Sequence, residues 1–109
     1  MVACIDDVPV GNIGLMVDGN PRRRHTGHIG MGVHDDFAGK GIGALLMSAA
    51  LNIADNWLNL TRVELTVDTD NDRAVRLYER TGFIIEGTLG RYAFRNGHYV
   101  DAYTMARFP

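Results

Sequence analysis

One cysteine, one tryptophan and three prolines in 109 residues put several classes of protein out of reach. The single Cys4 excludes an internal disulfide and a cysteine-based zinc cluster and fits a reducing compartment, so it reads as a small buried hydrophobe. No apolar run approaches the roughly 18 residues of a membrane span. Nor does a basic segment followed by an apolar one open the chain, so a soluble, cytoplasmic protein without a membrane partner is expected. Positive charge is scarce too. Eleven Lys plus Arg against thirteen Asp plus Glu give a net charge of −2, which provides no overall field for nucleic acid; the basic cluster PRRRH at 21–25 is local. Metal-ligand spacing is absent, and no metal is expected.

What is present suits one globular domain over residues 1–109, with 46% hydrophobic residues. Val2 to Ile5 reads as a short strand, DDVP as its turn, and VGNIGLMV from Val10 as a second strand that completes a hairpin. The polar segment DGNPRRRHTG is a loop leading to a strand from His28 to Val33. Apolar residues then recur at Ile42, Leu45, Leu46, Ala49, Ala50, Ile53 and Trp57, the period of a helix with one buried face. In RVELTVD, Val63, Leu65 and Val67 alternate with Glu64, Thr66 and Asp68, the period of a strand with two different faces. A helix of about ten residues follows, capped by Asn71 or Asp70, with Asp72 in its first turn and Gly82 as its stop. The tail is a hairpin turned by Asn96-Gly97. This order predicts an α/β fold, an α+β mixed sheet with antiparallel hairpins at both ends. The strand-helix-strand from His28 to Asp68 forms a right-handed crossover between parallel strands.

Gly39, Gly41 and Gly43 flank Lys40 and Ile42 where a strand gives way to a helix. Glycines there bring backbone N–H groups close to a ligand, and the helix N-terminus adds positive partial charge, so the turn suits phosphate. A tight connection with no ligand is the bland alternative. The triphosphate-binding loop is ruled out because Gly41 follows Lys40 where Ser or Thr is required. A dinucleotide-binding unit needs an early βαβ and a fuller sheet.

Together, MGVHDDFAGKGIGALLM and NDRAVRLYERTGF resemble the GNAT superfamily of N-acetyltransferases. Gly41 and Gly43 match the first half of its pattern, and Asn71, Ala74, Tyr78, Gly82 and Phe83 match the second. Ala38 departs from it, standing where the family has Gln or Arg. Over nearly the whole chain, segments such as PRRRH, ELTV and YAFRNGHYVDAYTMAR resemble the bacterial L-amino-acid N-acetyltransferases. The resemblance implies the acyl-CoA N-acyltransferase fold, without the strand and two helices with which members normally begin and which help wall the amine pocket.

It also implies the site. Acetyl-CoA would be the co-substrate, its pyrophosphate on Gly39, Lys40, Gly41, Ile42, Gly43 and Ala44, its thioester along the backbone of Met31, Gly32 and Val33. Tyr78 would be the general acid that protonates the leaving sulfur; Asn71 and Ala74 would contact the cofactor, with Asn71 also capping its helix. The acceptor would be a small-molecule primary amine, above all the α-amino group of an L-amino acid, and the protein a homodimer. A non-catalytic or partner-dependent acyl-CoA-binding module, or an acetyltransferase of proteins or peptides, are the alternatives. No residue stands out as the base: His28, His34, Glu64 and Asp68 are candidates, and water can suffice because an α-amino group is partly neutral near pH 8. PRRRH suits either a substrate carboxylate or a solvated loop. Tyr92, Phe94, Tyr99 and Tyr103 read as packing residues of the last hairpin, with an aromatic-lined pocket formed by an exposed pair as the alternative.

Overall fold

The computed structural model describes residues 2–5, 8–33 and 41–109, which fall into two compact units, 1–63 with Pro109 and Glu64–Phe108. In the first unit, β1 (Val2–Ile5), β2 (Val8–Val17) and β3 (Thr26–Val33) lie side by side in that order. β1 and β2 pair antiparallel from Val2↔Asn12 to Ile5↔Val8. β2 and β3 do so from Gly11↔Val33 to Val17↔Gly27. The turn residues Asp6 and Asp7 and the side chain of Cys4 lie outside the described residues.

Both strands around the loop are longer than their sequence suggests: β2 starts at Val8 rather than Val10, and β3 at Thr26 rather than His28. Local hydrogen bonds explain the shorter loop. Asp18 Oδ1 accepts from Asn20 N at 2.9 Å, Asn20 Oδ1 accepts from Arg22 N at 3.0 Å, and Pro21 opens a 3-10 turn over Pro21–Arg23. The chain returns by Asp18 N donating to Thr26 O at 3.0 Å, which brings Thr26 into the strand. Thr26 is buried, and its hydroxyl finds no partner among the described residues, at a cost of about 1–3 kcal/mol.

Helix α1 (Ile42–Asn56) packs on β2 and β3 within the same unit. Its buried face is Leu46, Met47, Ala50, Leu51 and Ala54, which corrects the expected stripe: Leu45 is 68% exposed and Trp57 79%. Gly11 explains the approach. A Cβ there would stand 3.2 Å from both Ile42 Cγ2 and Leu46 Cδ1, so the helix rests on bare β2 backbone. β4 (Arg62–Asp68) begins beside the start of β3, with Thr61 N and Arg62 N both donating to His25 O at 3.0 and 3.2 Å. This is where a crossover into a parallel neighbour must begin.

The second unit takes the rest of β4 with α2 (Asp72–Arg80), β5 (Ile84–Arg95) and β6 (His98–Arg107), the strands ordered β4, β6, β5. Val63, Leu65 and Val67 are buried and Thr66 is exposed, as the alternation predicts. Asn71 caps α2, and Gly82 turns the chain away at φ 100°. Asn96 and Gly97, at φ 52° and 84°, make the two-residue turn that pairs Arg95 with His98. β5 is irregular at Ile85/Gly87 and Leu89/Ala93. The hairpin aromatics are not core: Tyr92, Phe94 and Tyr99 are 52%, 66% and 61% exposed. They cluster at the surface, with Phe94 edge-on to Tyr99 at 5.2 Å and the Arg91 guanidinium 5.6 Å from the Tyr99 ring centre.

Candidate active site

Helix α1 starts on a residue whose conformation only glycine adopts freely. Gly41 is its N-cap at φ 79°, ψ 3°, with no side-chain cap and no acidic residue in the first turn. The first intrahelical bond is Leu45 N to Gly41 O at 3.0 Å. The amides of Ile42, Gly43 and Ala44 therefore precede the helical ladder and have no acceptor within it. Among the described residues, no heavy atom lies within 4 Å of a Cβ built on Gly41, and the backbone conformation there favours glycine. Free amides, a positive helix end and open space fit an anion such as pyrophosphate. Gly39 and Lys40, with the departing Ala38 and the candidate base His34, lie outside the described residues.

Met31, Gly32 and Val33 end β3, paired with Ile13, Asn12 and Gly11 on β2. Gly32 is exposed and Met31 half-buried. His28 lies farther back. It pairs with Met16, and its Nε2 is 3.6 Å from Asp18 Oδ2. Three residues of strand put it about 10 Å from Met31. The arginine loop precedes even that, so His25 is roughly 26 Å along the strand from Val33. Arg23 Nε is held by Asp18 Oδ2 at 3.1 Å. Hence β3 carries the arginine loop at one end and the Met31–Val33 backbone at the other. Asp18 itself is pushed below the usual carboxylate value, first by its bond from the Asn20 amide, which outweighs the opposing desolvation, and further by His28 and Arg23.

In the second unit, Asn71 Oδ1 accepts from Ala74 N at 3.3 Å, and Val75 N donates to Asn71 O at 3.0 Å. Ala74 and Tyr78 are four apart on α2 and share a face. Tyr78 is 7% exposed and meets Phe83 edge-on, ring centres 6.0 Å apart. Burial raises its pKa above the ordinary phenol value of 10.0, so the phenol is protonated at neutral pH. Of the carboxylates proposed as bases, Asp68 accepts at Oδ2 from Arg95 Nη1 at 2.9 Å, and half-buried Glu64 is also engaged. Sequence reasoning missed Arg95, 27 residues from its partner, because nothing local marks such a pair.

In the first unit the start of α1 presents amides outside the helical ladder, and in the second α2 carries a capping asparagine, an alanine and a buried tyrosine. The chain belongs to the acetyltransferase (GNAT) family, whose pattern matches residues 1–83. It is 46% identical to the L-amino acid N-acetyltransferase AaaT of Escherichia coli K12 over 107 residues, 98% of this chain and 66% of that protein. A GNAT-family acetyltransferase from Streptococcus pneumoniae superposes with a TM-score of 0.91 at 31% identity, over 99% of this chain and 65% of that one. A putative acetyltransferase of Salmonella typhimurium, solved with its cofactor acetyl-CoA, shares the fold at TM-score 0.84 and 20% identity, over 93% of this chain and 58% of its own. The chain thus spans about two thirds or less of the length of these relatives. Its mixed α/β fold is that of GNAT acetyltransferases. Among the described residues, no helix is long and apolar enough to cross a membrane.

Proposed function

We propose that this chain is an N-acetyltransferase that moves the acetyl group of acetyl-CoA to a primary amine, the α-amino group of an L-amino acid, with residues 1–109 acting as one domain. The observation that carries the reading is the start of α1 at Gly41, without a side-chain cap and of a kind that suits an anion, in a chain of this family. The amine class rests on the 46% identity with an L-amino acid N-acetyltransferase over 98% of the chain.

In this reading, the amides of Gly41, Ile42, Gly43 and Ala44, with those of Gly39 and Lys40, donate to the pyrophosphate of acetyl-CoA. Asn71 and Ala74 contact the cofactor from α2. When bound, acetyl-CoA supplies an acyl group already activated as a thioester. The backbone of Met31, Gly32 and Val33 orients that carbonyl, and an N–H directed at its oxygen is a preorganised donor of a kind worth about 2.7–4 kcal/mol. The amine nitrogen forms the C–N bond as the C–S bond breaks. Tyr78 gives its proton to the departing sulfur, and the amine releases one proton to solvent, which returns the phenol to its acid form. An α-amino group is partly neutral near pH 8, so water can take the amine's proton.

Native mass spectrometry of the purified chain with acetyl-CoA, followed by acetylation assays on free L-amino acids, polyamines and peptides, tests the proposal. One acetyl-CoA per chain and turnover of free amino acids are expected, with Tyr78→Phe slower by roughly 10² to 10⁴-fold at unchanged cofactor affinity. Acetylation of peptides alone would move the acceptor assignment. Absence of bound cofactor would remove the enzyme reading, and wild-type rates in Tyr78→Phe would remove the phenol from the chemistry.

A further inference from the structure

The connection between β4 and α2 is only Thr69, Asp70 and Asn71, yet hydrogen bonds reach it from both strands of the last hairpin. From β5, Arg95 Nη1 donates to Asp68 Oδ2 at 2.9 Å, and Arg95 Nη2 donates to Asp70 Oδ2. One guanidinium thus spans two carboxylates on either side of Thr69, a geometry that its planar fork permits and a lysine ammonium reproduces poorly. From β6, Asp101 O accepts from Thr69 N at 2.9 Å. The side chain of Asp101 looks the other way along the hairpin, its Oδ1 accepting from Arg91 N at 2.9 Å. Arg91 sits at φ 51°, a conformation non-glycine residues seldom adopt and hold only where their surroundings over-determine it. Asp101 therefore joins the irregular stretch of β5 to Thr69, two residues before the α2 cap. A further contact, 3.4 Å between Thr66 Oγ1 and Tyr92 Oη, ties the same two regions.

These contacts add little to overall stability. The side chains of Arg95, Asp68 and Asp70 are 45%, 31% and 59% exposed, and ion pairs so well solvated contribute little to folding. Their effect is on placement. Asn71 N donates to Asp68 O at 3.0 Å, so the held carboxylate belongs to the residue that closes the turn onto the cap. The cap's own side-chain bond, at 3.3 Å, is at the long end of the range, so the start of α2 takes its position from the turn as much as from its cap.

We propose that Arg95 is a positioning residue, a clamp from the β5–β6 hairpin that fixes the β4–α2 turn and, through α2, the placement of Tyr78. The role in catalysis rests on the assignment of Tyr78 above; the clamp itself does not. Two readouts separate them. In hydrogen exchange, Arg95→Ala should exchange the amides of Asn71 to Val75 at least about tenfold faster, with the rest of the chain unchanged. Arg95→Lys should recover part of that protection. In acetylation assays, Arg95→Ala should lower kcat about tenfold or more at little change in KM for acetyl-CoA, since a misplacement of ~1 Å is worth up to about 10²-fold. Unchanged exchange at Asn71 to Val75 overturns the clamp. Faster exchange with unchanged kcat overturns its positioning of Tyr78. If the wild-type chain transfers no acetyl group, the assignment of Tyr78 fails and exchange alone decides whether the clamp exists.

Discussion

Gly41 carries more of the proposed chemistry than any other single described residue, and it does so through one torsion angle. At φ 79° an L side chain costs about 1–2 kcal/mol, even though none of the described residues lies within 4 Å to clash with it. Gly41→Ala should therefore lower unfolding free energy by that amount in urea titrations and weaken acetyl-CoA binding in the same protein. Gly41→Asn should lose less, because Asn tolerates the left-handed region better. Gly14 offers the control: it too has open space around it, but no positive φ, and Gly14→Ala should leave cofactor binding intact. Equal losses at Gly14 and Gly41 would detach the turn's geometry from its role. The three residues of α2, Asn71, Ala74 and Tyr78, were legible for the same reason as Gly41: each is marked by its neighbours in sequence, through cap, spacing or turn. Arg95 was not, because its partners Asp68 and Asp70 are brought to it only by the folded sheet.

At the scale of elements, the strands and helices were readable and their faces only partly so. β4 shows its alternation because its two sides differ in chemistry, and the last hairpin because Asn96-Gly97 admits one kind of turn. Helix α1 is apolar on too many sides for its sequence to choose a face: 42, 45, 46, 49, 50 and 53 make one periodic stripe, 46, 47, 50, 51 and 54 another. The choice is made by Gly11 on β2, where Ile42 and Leu46 meet bare backbone, and by Ala50 and Ala54, both 0% exposed, which let the helix come close. This separates two neighbours that the sequence pattern treats alike. Leu46, 5% exposed, should cost about 2–5 kcal/mol on substitution by alanine. Leu45, 68% exposed, should cost no more than about 0.5 kcal/mol. Urea unfolding of the two variants reads the difference, and equal losses would restore the expected stripe. The irregularities of β5 at Ile85/Gly87 and Leu89/Ala93 had no local signal, since Arg91 is not a residue from which a positive φ is anticipated.

For the molecule as a whole, two described groups displaced from their ordinary ionisation mark the two ends of its pH range. Asp18, held below the usual carboxylate value by the Asn20 amide, contributes stability that is present above that value and lost as pH falls through its folded pKa. Tyr78 acts at the other end and with the opposite sign. Its phenol is raised by burial, so from about pH 10 upward the unfolded chain releases this proton while the folded chain still holds it. Stability therefore declines with rising pH across that interval, by at most about 1.36 kcal/mol per pH unit for one proton. Tyr78→Phe keeps the buried ring and removes the proton, so its unfolding free energy should flatten relative to the wild-type chain above about pH 10 and differ from it by a constant below. The same phenol that must stay protonated to act as an acid thus reports its own burial through an equilibrium measurement, without any substrate. Denaturant titrations of the two proteins at steps between neutral and strongly alkaline pH make the comparison. Curves that stay parallel throughout would mean that the phenol ionises alike in the folded and unfolded chains, and the buried placement of the proposed acid would fall.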